Sequence, residues 1–107
     1  MNIMQKYKIK QEERARKQQE ALEDQIVLAQ QVRNFFETDL GRYLEEKMDT
    51  DIKNIKDKLV IAQPEDVFLL QEEFRVINKI KGYLAQAILA GNNAEKALQL
   101  NANDFEE

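Results

Sequence analysis

A chain of 107 residues, 34% of them charged and 7% aromatic, with three glycines and one proline, is short enough for a single domain and composed like a mainly helical protein. It holds no cysteine and no histidine, which excludes disulfides and thiol chemistry and removes the commonest general base and metal ligand. The net charge of −4 argues against bulk binding of polyanions.

The opening MNIMQKYKIKQEERARK lacks the apolar core of a secretory signal, and no later run approaches the roughly 18 apolar residues of a membrane span. A soluble chain with no membrane partner is therefore expected. Over residues 1–20, Lys6, Lys8, Lys10, Arg14, Arg16 and Lys17 outnumber Glu12, Glu13 and Glu20, which makes a basic arm of net charge +3. Its plainest reading is a solvated helix end; its alternative is a contact surface for nucleic acid, a membrane surface or an acidic protein. The arm shows no apolar stripe, so its ordering is expected to need a partner or a second copy.

A long first helix is predicted over about 10–37. Its apolar positions start at Ala21-Leu22 and continue through Ile26, Ala29, Val32 and Phe36. Phe35 and Phe36 end that stripe, where an aromatic pair serves either as core or as an anchor for a partner. Thr38-Asp39 offers a new N-cap, and Gly41 lowers helix propensity by about 1 kcal/mol against alanine. A bend or restart near 37–41 is predicted, with a continuous helix through Gly41 left open.

A second helix follows over about 39–61, with Leu40, Leu44, Met48, Ile52, Ile55 and Leu59 stepping by three or four residues. Its other side is densely charged, from Glu45 to Lys58. Ile61-Ala62-Gln63-Pro64 forms a turn, and proline with Glu65 and Asp66 suits the first turn of a third helix over about 64–90. Val67, Leu70, Phe74, Ile77, Ile80, Leu84 and Ile88 line one face of it. Gly91-Asn92-Asn93 is read as a left-handed helix end. A short helix over 93–100, carrying Ala94, Ala97, Leu98 and Leu100, then folds back. Residues 101–107, with Asp104, Glu106 and Glu107, form a loose acidic tail.

The two central helices are predicted to pair as an antiparallel hairpin packed through Leu44, Met48, Ile52, Ile55 and Leu59 against Leu70, Phe74, Ile77, Leu84 and Ile88. The whole is expected to be an elongated all-α, coiled-coil-like arrangement in a single domain over 1–107. Phe68-Leu69-Leu70 with Val76, Ile77 and Ile80 widens the third helix's stripe beyond one face. Such a helix needs cover on more than one side, from the first helix or from another subunit, and an oligomer is expected.

Chemistry is sparse. Glu45-Glu46, Glu65-Asp66 and Glu72-Glu73 are adjacent acids, and neighbours on a helix point about 100° apart, so they do not face each other. Three scattered glycines make no phosphate-cradling loop. No catalytic residue, cofactor or metal site is expected, and no enzyme.

The runs FFETDLGRYLEEK and QPEDVFLLQEEFRVINKIKGYLAQAILAGNNAEKAL, spanning residues 35–98, resemble small helical proteins that tailed bacteriophages encode near their head-assembly genes. The matching elements are the aromatic before Thr38, Leu40-Gly41-Arg42-Tyr43, Pro64-Glu65-Asp66, Leu70-Gln71-Glu72-Glu73 and the stretch from Gly91 to Leu98. The resemblance implies a virion or host-cytoplasm setting and a structural or head-morphogenesis role carried by protein partners. Candidate partner contacts are Phe35, Phe36, Lys6, Lys8, Lys10, Arg14, Arg16 and Lys17. Two other functions stay open: a small nucleic-acid-binding factor (a packaging-recognition subunit or regulator) using the basic arm, and an adaptor or inhibitor of a host protein.

Overall fold

The protein is described by a computed structural model over residues 2–106, with side chains through Asn101. It is all-α: α1 runs Ile3–Glu37, α2 Asp39–Ile61 and α3 Pro64–Glu106, with no strand among the described residues. The central boundaries fall where Thr38 and Pro64 place them. The outer two differ from expectation, each for a local reason.

α1 starts at Ile3 rather than near residue 10. Asn2 Oδ1 accepts a hydrogen bond from the Gln5 N–H at 2.8 Å, and Gln5 Oε1 accepts from the Asn2 N–H at 3.2 Å. This reciprocal capping box satisfies two backbone donors at the helix start. The Gln/Glu/Lys/Arg/Ala sequence beyond it propagates the helix at little cost. The basic arm is therefore helical within the single chain, although all its side chains from Asn2 to Ala21 are exposed.

A single residue, Thr38, separates α1 from α2. Its Oγ1 accepts from the Gly41 N–H at 3.0 Å and donates to the Phe35 carbonyl at 2.5 Å, while its own N–H also reaches that carbonyl. One hydroxyl thus closes the end of one helix and caps the start of the next. Gly41 is buried here for want of space. A Cβ at this position would lie 1.8 Å from the Phe35 carbonyl oxygen, and that neighbour is backbone. The helix restarts, and the continuous alternative is excluded.

α2 ends at Ile61, with Ala62 extended at φ −68°, ψ 142°. Gln63, preceding proline, suits extended backbone as well. Pro64 then opens α3, where its missing N–H loses nothing, and Glu65 and Asp66 sit in the first turn.

α3 continues through Gly91-Asn92-Asn93 to Glu106. No described residue has positive φ, so Gly91 is not a left-handed terminus and the separate 93–100 helix does not exist. The expected loose tail is helical through Glu106; the side chains of Asp104 and Glu106, and all of Glu107, lie outside the described residues. Gly91 has a different reason to be glycine. A Cβ there would stand 2.2 Å from the Ala29 Cβ and 3.1 Å from the Gln25 carbonyl oxygen.

The chain divides into two compact units, one joining α1 up to Gln30 with α3 from Ala87, the other spanning Gln31–Gln86. The first is held by small residues at close approach: Ala29 and Ala94 are 0% and 1% exposed, beside Gly91. In the second, α2 and α3 pair antiparallel. Asp49 meets Lys81, 32 residues on, and the Lys56 ammonium lies 5.8 Å from the centre of the Phe74 ring. The two partners' numbers climb on one helix as they fall on the other, as a hairpin requires.

Candidate protein-protein contact surfaces

The core is thin. Of the expected hairpin residues only Ile55 is buried, at 4% exposure. Met48, Ile52, Leu59, Leu70, Phe74, Ile77, Leu84 and Ile88 are half-buried, and Leu44 remains 39% exposed. Two helices alone cover each other along one line, so flanking side chains keep part of their surface in water. Val32 is the other buried apolar side chain of the Gln31–Gln86 unit.

The candidate contact residues are placed as follows. Phe36 is half-buried and meets Phe35 edge-on, with ring centres 5.5 Å apart and planes at 65°. Phe35 is exposed at the Thr38 corner. Lys6, Lys8, Lys10, Arg14 and Lys17 are exposed along α1, and Arg16 approaches Glu20 at 3.9 Å. The structure brings the aromatic pair together, and the cations decorate successive turns of α1.

Several large apolar side chains outside the expected set are also exposed. Around the α2–α3 turn, Val60 (85%), Ile61 (80%), Phe68 (66%) and Leu69 (62%) face water. A groove of about 410 Å³ lies at this hairpin tip, lined by Ile61, Ala62, Leu69 and Leu70 with Lys58, Asp66 and Glu73 among its polar members. Further along α3, Val76, Ile80 and Tyr83 are exposed. On α1, Ile3, Met4 and Tyr7 stand out among the lysines, so the arm is amphiphilic rather than merely basic. A signal for the tip was present: Leu59-Val60-Ile61-Ala62 is four apolar residues in a row, and no single helix face holds four successive residues.

Charged contacts are confined to the surface. Lys47 Nζ donates to Asp51 Oδ1 at 3.0 Å, and this hydrogen bond, with the carboxylate's charge, holds the ammonium above the usual lysine range. Arg75 pairs with Glu72 at 2.9 Å and Arg42 with Asp39 at 3.4 Å. Asp49 turns away from its own helix neighbour Lys53 to meet Lys81 across the hairpin. Exposed pairs of this kind add little to stability, and of these the Asp49–Lys81 pair, which crosses the hairpin, bears on its register.

Among the described residues, no three acidic side chains gather in a way that could hold a metal ion, and no helix is long and apolar enough to cross a membrane. What the arrangement offers instead is surface: exposed apolar side chains at the hairpin tip and along α3. Comparison with family models, with curated proteins and with solved structures gives no match.

Proposed function

We propose that this chain is a non-enzymatic assembly protein that works through helix-mediated protein-protein contacts, as a structural or head-morphogenesis component of a tailed bacteriophage. The observation that carries the reading is the exposure of Val60, Ile61, Phe68, Leu69, Val76, Ile80 and Tyr83 on a hairpin that buries only Ile55 between its helices. Clustered apolar surface of that kind marks an interaction site. A helix apolar over more than one face needs more cover than one neighbouring helix supplies. The phage setting rests on the resemblance over residues 35–98, and the assembly role on the surface itself.

Size-exclusion chromatography with light scattering, run beside co-purification with capsid or portal-type proteins, tests this reading. A defined oligomer or a stoichiometric complex is expected. An inert monomer that captures neither class of partner overturns it.

A second reading draws on the exposed cations of α1. A small nucleic-acid-binding factor would use Lys6, Lys8, Lys10, Arg14 and Lys17 as phosphate contacts, with affinity falling steeply as salt rises. Three glutamates on the same stretch and a single aromatic, Tyr7, make it the weaker of the two.

A further inference from the structure

The first turns of α1 and the hairpin tip are complementary in shape class and in charge. At 3.6 residues per turn, Ile3, Tyr7 and Met4 fall within about 100° of arc on α1. Lys10 and Lys6 border that arc on one side and Lys8 on the other, so an exposed apolar ridge runs between lysines. Residues 2–11 contain three lysines and no acid.

The tip presents the counterpart. Its groove is floored by Leu70 and walled by Ile61 and Leu69, and Asp66 and Glu73 stand one turn before and one turn after that leucine pair on α3. Over residues 57–73 the acids Asp57, Glu65, Asp66, Glu72 and Glu73 outnumber the one cation, Lys58, with Glu72 already paired to Arg75. Among the described residues, neither Lys6, Lys8 and Lys10 nor Asp66 and Glu73 have an ion-pair partner within the chain. Ridge and groove are both exposed, and the three lysines and two acids beside them form no ion pairs among the described residues.

We infer that the occupant of the hairpin-tip groove is α1 of a second copy of this chain, with Ile3, Met4 and Tyr7 seated on Ile61, Leu69 and Leu70 while Lys6, Lys8 and Lys10 meet Asp66 and Glu73. Because different surfaces meet, two copies can exchange ridge for groove reciprocally in a two-fold dimer, or the contact can repeat from copy to copy. Repetition gives a ring if the rotation closes and a filament if it does not. This deepens the assembly reading and rests on it by naming the partner and both surfaces.

Sedimentation velocity of the full chain, from micromolar to near-millimolar concentration, tests the inference, with far-UV circular dichroism confirming that each variant is helical. The wild type is expected to associate with rising concentration and to weaken with added salt. The K6E/K8E/K10E variant should associate about a hundredfold more weakly or worse, because like charges then meet across the contact. The D66K/E73K variant should fail likewise. Mixing the two variants should restore association, since each reversed surface then meets its opposite.

Association that survives both reversals would place the self-contact elsewhere and overturn this inference while leaving the assembly reading standing. A wild type that stays monomeric throughout would overturn it too, and capture of capsid or portal-type partners would then decide the assembly reading separately. If the lysine reversal spares self-association but abolishes low-salt binding of a labelled DNA duplex, the ridge belongs to nucleic acid and the inference falls.

Discussion

Gly91 of α3 lies so close to Ala29 of α1 that a methyl group added to it would stand 2.2 Å from the Ala29 Cβ, and Ala29 has no exposed surface into which to retreat. Gly91→Ala gains about 1 kcal/mol of helix propensity but forces an overlap that typically costs about 1–3 kcal/mol. A net loss of stability is expected in urea unfolding. Gly82 is the control, since nothing lies within 4 Å of a Cβ placed there. Gly82→Ala should stabilise by up to about 1 kcal/mol. If both alanines stabilise, the close approach at Gly91 is wrong.

At the α1–α2 corner the obstruction is main chain rather than side chain. Gly41→Ala drives a methyl into the Phe35 carbonyl oxygen, which cannot rotate aside without opening the corner. Its loss should reach or exceed the upper end of the ~1–3 kcal/mol range for overpacking. Thr38→Ala removes the shared hydroxyl and should lose about 1 kcal/mol, the usual worth of an N-cap. Chemical denaturation of the two variants side by side reads the ranking directly, and a milder Gly41→Ala would refute it.

Within the hairpin, the extent of burial ranks the apolar truncations. Ile55→Ala should lose about 2–5 kcal/mol, as fully buried aliphatics do. Leu84→Ala and Phe74→Ala, at half-buried sites, should lose less in the isolated chain. Pro64→Ala should be mild, because a first-turn proline acts mainly by restricting the unfolded state. Thermal unfolding at low protein concentration measures all four, and equal losses at Ile55 and Pro64 would contradict the hairpin.

The Lys47–Asp51 pair makes a pH prediction of definite sign. Asp51 raises the lysine's folded-state pKa above its unfolded value of about 10.4, so the charged form is favoured by folding. The contribution is whole below the unfolded pKa and disappears as pH climbs through the raised folded one. A carbon-detected NMR titration of Lys47 should show a higher midpoint in the wild type than in Asp51→Asn. Coincident midpoints would remove the pair from solution.

Much of the fold was legible. Helix-forming composition, apolar steps of three and four, Thr38 before Leu40 and Pro64 before two acids together locate α2 and the start of α3. α3 runs past Gly91 because apolar periodicity outweighs glycine's conformational freedom there. Leu84, Ala87, Gly91, Ala94 and Leu98 keep the same three-four spacing without a break, and glycine within such a stripe signals close approach as readily as termination. The early start of α1 was written in Asn2 and Gln5, a capping pair hidden because no apolar run follows it. The contact surfaces were less legible, since whether Val60 or Phe68 is covered depends on what packs nearby, and one chain's pattern does not state that. The Asp49–Lys81 pair is equally long-range: local spacing favoured Lys53, and only the antiparallel register brings Lys81 within reach.

A junction one residue long leaves no slack. Adding or deleting a residue between Glu37 and Asp39 would break the cap at Thr38, whose hydroxyl bonds the Phe35 carbonyl on one side and the Gly41 N–H on the other. Length variation is thereby forbidden at this corner while substitution of outward side chains is not. Natural or engineered versions of the protein should differ in the composition of their surfaces long before they differ in the number of residues that join their first two helices.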